Sequence, residues 1–200
     1  MLLDRINNTA RKLPAWTLYI ALPLPALWFL YLGLTGGLGA EPIKALEHEL
    51  GEVALQILIA GLAITPLRRH LGINLLKFRR AIGLMAFLYV FLHLLVWLVL
   101  DVQILGQIWA DIVKRPYITV GMAAFVLMLP LALTSNNWSV RRLGPRWRKL
   151  HKLTYAVVLL GAVHFVMLVK GIQLEPLIYL ALILGLLALR WRPSRQNQTV

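Results

Sequence analysis

The sequence predicts an all-α, polytopic membrane protein: a single domain over residues 1–200 that forms a six-helix transmembrane bundle. The first observation is composition, since 60% of the 200 residues are hydrophobic, 14% are charged and the mean hydropathy is +0.73. Soluble domains are about 45–50% apolar and about 25% charged, so this chain has too little polar surface for a water-soluble globule. It has no cysteine, which excludes disulfides, thiolate metal sites and iron–sulfur clusters.

The second observation is the length of the apolar stretches. A transmembrane helix needs about 20 mostly apolar residues, and we expect spans at residues 16–34, 50–67, 81–100, 117–134, 153–169 and 174–191. The first is too long for a signal-peptide core and no small-residue cleavage site follows it, so we expect it to be retained. Pro176 in the sixth suits the first turn of a helix, where its missing N–H costs no hydrogen bond. The longest connections, residues 35–49 and 101–116, are expected to be external loops.

The third observation is the distribution of charge. Seven of the eight acidic residues, all but Asp4, fall on one side of the predicted spans, together with only four of the 21 basic residues, which are Lys44, Lys114, Arg115 and Lys170. The other 17 basic residues fall on the opposite side. Short cytoplasmic loops carry the excess of Lys and Arg, so both termini are predicted to be cytoplasmic. The net charge of +13 therefore indicates orientation, and we expect no nucleic-acid partner.

His93 and His164 are the candidate functional residues within the spans, because ionisable groups in a membrane are functional candidates by default. Each lies in an otherwise apolar stretch, at nearly the same distance from the start of the third or fifth span. Two imidazoles at one depth on parallel helices can hold a planar cofactor, and histidine is a common axial ligand of haem iron. Alternatively, each makes an interhelical hydrogen bond. The spacing leaves both interpretations open.

A second candidate site lies at the cytoplasmic ends of these spans. His151 is about 220° around an ideal helix from His164, so the two do not share a face. The third span carries Arg79 and Arg80 at the matching depth, and a guanidinium binds phosphate or carboxylate but no iron. We therefore expect Arg79, Arg80 and His151 to form an anion, flavin or quinone site. The alternative is contact with the headgroups of anionic membrane lipids.

Several motifs together resemble one family. They are residues 36–42 (GGLGAEP), 64–67 (ITPL), 79–84 (RRxxGL), 115–121 (RPYITxG) and 142–155 (RLGxRWxxLHxLxY), with His93 and His164. These runs resemble the MsrQ (YedZ) proteins, which belong to the ferric-reductase-like transmembrane group. The resemblance extends from about residue 15 to residue 192.

The resemblance implies a b-type haem protein of the bacterial inner membrane. Such a protein passes electrons from the quinol pool, or from flavin reduced by a cytoplasmic flavin reductase with FMN on the membrane subunit. The acceptor is a periplasmic molybdopterin reductase (MsrP-like), which reduces methionine sulfoxide in oxidised periplasmic proteins. The functional histidines of the family fall on His93, His151 and His164, and its cytoplasmic arginine falls on Arg79.

The chain departs from the ferric reductases in two respects. It has no appended FAD/NAD(P)H domain, so we expect it not to take hydride from a nicotinamide cofactor unaided. The third span has a single intramembrane histidine, which leaves His151 as a possible second haem ligand without an assigned partner.

Two other classes of function compete with an electron conduit. The first is a small transporter or channel with a histidine proton relay, but the sequence has no repeat and no matched pair of Gly/Pro-broken helices. The second is a structural anchor, which leaves the matched depth of the two histidines unexplained.

Overall fold

The computed structural model of the chain describes residues 1–169 and 171–190. Lys170 and the predicted end of the sixth span at Trp191, with Arg192 and Arg195, lie outside the described residues. Within them the chain is helical and has no strand, and the helices are α1 (Leu2–Lys12), α2 (Thr17–Ala21), α3 (Leu24–Leu34), α4 (Pro42–Leu71), α5 (Arg79–Val96), α6 (Leu105–Lys114), α7 (Pro116–Leu133), α8 (Asn137–Leu143), α9 (Pro145–Leu150), α10 (Leu153–Leu168) and α11 (Leu174–Arg190).

Five helical stretches among the described residues are long and apolar enough to cross a membrane. They are Thr17–Leu34, Pro42–Leu71, Leu76–Val102, Pro116–Leu133 and Pro145–Leu168. The expectation of an all-helical integral membrane protein is therefore confirmed. The sixth predicted span corresponds to α11, whose 17 described residues extend about 25 Å at a rise of about 1.5 Å per residue. The count of six spans stays a prediction.

Both predicted external loops contain helix, which corrects the sequence-based boundaries. Residues 42–49 are the first two turns of α4, because Pro42 occupies a first-turn position that needs no N–H donor. The predicted loop 101–116 contains α6, and a π-helical stretch (Trp97–Val102) continues α5 towards it. Hydropathy marks apolar stretches and misses the polar turns that extend a helix beyond them.

The first predicted span is interrupted between α2 and α3. Pro23 and Pro25 lack N–H donors, and the buried hydroxyl of Tyr89 enters the helical hydrogen-bond ladder beside them. It donates to the carbonyl of Leu22 at 2.7 Å and accepts from the N–H of Ala26 at 3.1 Å. A side chain inserted into the ladder is a recognised cause of a helix kink, so Tyr89 joins the broken helix to α5.

Pro66 determines a contact between α4 and the last helix. Pro66 lies inside α4, which continues to Leu71 beyond the predicted end at residue 67. Without an N–H, Pro66 leaves the carbonyl of Leu62 free. The guanidinium of Arg190 donates to that carbonyl through Nη2 and to the hydroxyl of Tyr155 through Nη1. The last helix is thereby bound to α4 and α10.

The two ends of the bundle differ in charge. We call the end formed by the α4–α5 turn, α8 and α9 the basic face, and the end that carries α6 the α6 face. Helix α1 lies on the basic face, where Asn7 bonds to the carbonyl of Gly72 and the N–H of Asn74. Leu189 of α11 lies there too, with its carbonyl 3.4 Å from Nη1 of Arg69. The N-terminal helix and the described end of α11 therefore share one face.

Two helix pairs form the centre of the fold. Helix α4 packs along α5, and α7 packs along α10, while α11 lies against α10 and α4. The buried core between the pairs is aliphatic and aromatic, with Leu62, Tyr89, Val158 and Ile183 almost completely buried. Each pair contributes one of the two intramembrane histidines.

Replacing Tyr89 with phenylalanine is expected to destabilise the fold. The change leaves the Leu22 carbonyl and the Ala26 N–H without their partner, and an unsatisfied buried polar group costs about 1–3 kcal/mol. We expect the free energy of unfolding, followed by circular dichroism in detergent, to fall by about that amount. Tyr31→Phe is the matched control, because Tyr31 is exposed on α3 and its hydroxyl has no hydrogen bond within the described residues. Equal stability of Tyr89→Phe and the native chain would contradict this account of the kink.

Candidate functional site

The structure brings His93 and His164 together at the centre of the bundle. His93 lies on α5 and His164 on α10, and their ring centroids are 6.2 Å apart with planes inclined at 82°. The similar depth expected from the sequence thus places the two rings opposite one another, between the two helix pairs.

Hydrogen bonds to backbone carbonyls determine which nitrogen of each ring is free. Nδ1 of His93 lies 2.8 Å from the carbonyl oxygen of Glu47, and Nδ1 of His164 lies 2.7 Å from that of Tyr117. A carbonyl oxygen only accepts, so Nδ1 carries the proton and donates in both rings. In a neutral imidazole, Nε2 then holds the free lone pair, and within the described chain Nε2 of neither ring has a hydrogen-bond partner.

Each imidazole also lies against a glycine of the neighbouring helix. A Cβ atom built on Gly51 would lie 3.0 Å from Nδ1 of His93, and one on Gly121 would lie 2.8 Å from Nδ1 of His164. Each glycine follows by four residues, one helical turn, the residue whose carbonyl accepts the hydrogen bond. We call each combination of carbonyl and glycine a seat: the first is Glu47 and Gly51 on α4, the second is Tyr117 and Gly121 on α7.

These seats were not predicted from the sequence. A signal was present, because Gly51 precedes His93 by 42 residues and Gly121 precedes His164 by 43. Two similar sequence separations between a glycine and a histidine do not predict a contact by themselves. They can be interpreted only once α4 is known to pack on α5 and α7 on α10.

A cavity of about 450 Å³ lies between the two helix pairs, and both histidines line it. This volume is within the range of about 300–1,000 Å³ of small-molecule and cofactor sites. Its walls are mainly apolar, including Leu58, Val90, Phe125, Met128 and Val157. The charged residues that line it belong to the α6 face and are Lys44, Glu47, Glu52, Asp101 and Arg115.

The donor set suits a metal cofactor that brings its own equatorial ligands. Among the described residues no group of three or more His, Asp or Glu side chains could hold a bare metal ion, and the pair of imidazoles supplies two donors. Haem iron requires only axial ligands from the protein. An imidazole nitrogen binds a metal ion at about 2 Å. The ring centroids of His93 and His164, 6.2 Å apart, are close enough for one metal ion to lie between the two rings.

His151 lies apart from this pair, at the basic face. Its ring stacks on Trp147 with centroids 3.8 Å apart, and its Nε2 is 3.1 Å from Oγ1 of Thr134. The Thr134 hydroxyl donates its hydrogen to the carbonyl of Pro130, so it accepts from Nε2–H of His151. The free nitrogen of His151 is therefore Nδ1, the opposite tautomer from the two central histidines.

The structure also places the two predicted arginines at the basic face, where they are exposed at the start of α5. The charge of Arg79 acts on both His151 and Arg190, so Arg79 and His151 lie in the same region of the basic face. For Arg80 the described part of the structure shows no polar contact with another side chain.

Comparison with known proteins places the chain in a family. The model of the ferric reductase like transmembrane component matches residues 49–162, a range that includes Gly51, the second seat, His93 and His151. A relative from Agrobacterium fabrum is 53% identical over 181 residues, which cover 90% of this chain and 84% of the relative, and it is named protein-methionine-sulfoxide reductase heme-binding subunit MsrQ. The chain belongs to the MsrQ family.

Other MsrQ proteins are similarly close. The one from Rhizobium meliloti is 53% identical over 183 residues, or 91% of this chain and 84% of the relative. The one from Brucella ovis is 52% identical over 181 residues, or 90% and 81%. No solved structure matches the chain. The resemblance to MsrQ expected from the sequence motifs is confirmed.

Proposed function

We propose that the chain is the haem-binding membrane subunit of a protein-methionine-sulfoxide reductase system and carries electrons across a bacterial inner membrane. The observation that supports it most directly is the pair of neutral imidazoles, His93 and His164, with free Nε2 atoms and centroids 6.2 Å apart in an apolar cavity. The names of the relatives agree with this assignment. The cofactor of the proposal is a b-type haem.

The chain's residues would hold the cofactor in a defined way. Nε2 of His93 and Nε2 of His164 would hold the haem iron, and the carbonyls of Glu47 and Tyr117 keep the proton of each ring on Nδ1. Bound haem supplies a one-electron redox couple. The apolar wall around the histidines keeps water away, and burial together with hydrogen bonding to the ligands is how a protein adjusts a haem potential.

Electron entry is assigned to the basic face. We propose that Arg79, Arg80 and His151 bind the anionic or quinoid electron donor there. The donor is either a quinol or FMN reduced by a cytoplasmic flavin reductase, and a guanidinium suits the phosphate of the flavin. An additional role of His151 as ligand of a second haem would use its free Nδ1.

Electron exit is assigned to the α6 face, where the cavity meets charged residues. In the proposed orientation six spans place this face in the periplasm and both termini in the cytoplasm, which follows the excess of Lys and Arg on the basic face. The partner is a periplasmic molybdopterin reductase of the MsrP type. Sulfoxide reduction belongs to that partner, and the acidic residues of the α6 face offer it a docking surface.

Removing either central histidine is expected to abolish the low-spin haem. His93→Ala and His164→Ala each eliminate one of two axial ligands, so the reduced-minus-oxidised bands of a low-spin b haem should disappear or become high-spin. Absorption spectra of the purified protein, with iron per polypeptide, provide the measurement. His70→Ala is the control, because His70 is exposed on the basic face. A native protein that is colourless after expression with ample haem would overturn the proposed function.

Arg79→Ala is expected to slow electron entry and leave the haem intact. Loss of a charge-assisted hydrogen bond worth about 1.5–3 kcal/mol should lower the rate of haem reduction by about tenfold or more. The rate is followed optically, with a short-chain quinol in one experiment and with FMN and a flavin reductase in another. Arg148→Ala, an exposed arginine of the same face, is the control. Equal slowing in both variants would indicate a general charge or lipid effect, and loss of haem in Arg79→Ala would show that its role is misassigned.

A further inference from the structure

We propose that Gly51 and Gly121 are positioning residues: each fixes the rotation of one axial histidine against a backbone carbonyl and thereby sets the reduction potential of the bound haem. The inference rests on the proposed haem function and adds two residues to it. Neither glycine contacts the metal or the electron donor, and both act through the imidazoles.

Contact at the first seat involves the donating atom itself. A Cβ on Gly51 would lie 3.0 Å from Nδ1 and 3.2 Å from Cε1 of His93, closer than ordinary van der Waals contact. Nδ1 is the atom that donates to the Glu47 carbonyl. A methyl group there would displace the ring and disturb its hydrogen bond to the Glu47 carbonyl.

The second seat is tighter. A Cβ on Gly121 would lie 2.8 Å from Nδ1 and 2.9 Å from Cε1 of His164, distances at which the ring has to move. The ring lines the cavity and lies 6.1 Å from the ring of Tyr117. The displacement caused by a methyl group is therefore expected to be larger at Gly121 than at Gly51.

At each seat one backbone carbonyl accepts two hydrogen bonds. In an α-helix the carbonyl of residue i accepts the N–H of residue i+4, so the carbonyls of Glu47 and Tyr117 already serve Gly51 and Gly121. A carbonyl oxygen has two lone pairs, and the second one accepts the imidazole Nδ1–H. A glycine at i+4 leaves room for the imidazole to reach it without displacement.

The electronic consequence follows from this hydrogen bond. Donation from Nδ1–H to a carbonyl makes Nε2 more basic and fixes the ring orientation. A more basic ligand favours the ferric state. Weakening the bond is therefore expected to shift the haem potential in the positive direction, while the haem remains bound as long as the ring still reaches the iron.

Not every helical glycine has such a close neighbour, although a Cβ on Gly61 of α4 would lie 3.2 Å from Cγ2 of Ile82. A Cβ on Gly83 of α5 or Gly185 of α11 would meet nothing within 4 Å. These two positions provide matched controls, because the same Gly→Ala change occurs in the same type of membrane helix without touching a histidine.

The test compares Gly51→Ala and Gly121→Ala with Gly83→Ala and Gly185→Ala in the full-length, haem-loaded protein. Haem per polypeptide, the low-spin spectrum and a potentiometric titration are measured for each. We expect a positive shift of the potential for Gly51→Ala, a larger shift or loss of low-spin haem for Gly121→Ala, and native values for the controls. If the Gly121→Ala protein does not accumulate, the potential of Gly51→Ala decides the test, because its methyl group requires a smaller displacement of the imidazole.

Failure of this inference and failure of the proposed function are distinguishable. Native potential and native spectrum in both seat variants would overturn this inference and leave the haem function intact. Absence of haem from the native protein would overturn the proposed function itself. A shift that also occurs in Gly83→Ala or Gly185→Ala would likewise overturn the inference, because it would show a general response to added helix volume.

Discussion

The Nδ1–H bonds from His93 and His164 to the carbonyls of α4 and α7 are the interactions on which the site depends. Because a buried imidazole has two nitrogens and each needs a partner, assigning Nδ1 to the backbone leaves Nε2 of each ring for one specific ligand. That ligand would lie between the two rings, whose centroids are 6.2 Å apart. Helix pairing, the glycines at the seats and the apolar cavity all serve this arrangement.

Part of the fold and site could be predicted from the sequence, because the relevant signals are local. Hydropathy identified the integral membrane class and the approximate spans, and helical rise placed His93 and His164 at similar depth. The matched motifs identified the family, which the comparisons confirm. The rotational argument also separated His151 from His164, and the structure places His151 in a turn where it bonds to Thr134.

The remaining features could not be predicted because they depend on neighbours in space. The polar start of α4 has no hydropathy signal, although it supplies the Glu47 carbonyl. The second predicted span ended at residue 67, yet α4 continues to Leu71, and Arg190 satisfies the carbonyl that Pro66 leaves free. Gly51 and Gly121 have an evident role only once the histidines lie against them. Orientation, six spans and the identities of donor and partner stay predictions that rest on charge distribution and resemblance.

In the function we propose, His93 and His164 together bind one haem iron through Nε2. Low-temperature EPR of the oxidised, purified protein tests it most directly. Two imidazole ligands with nearly perpendicular planes, as the 82° between the rings indicates, should give a low-spin ferric signal of large g anisotropy. Such a signal without a high-spin component is the predicted result. A predominantly high-spin ferric signal, or a protein without haem iron, would contradict the account.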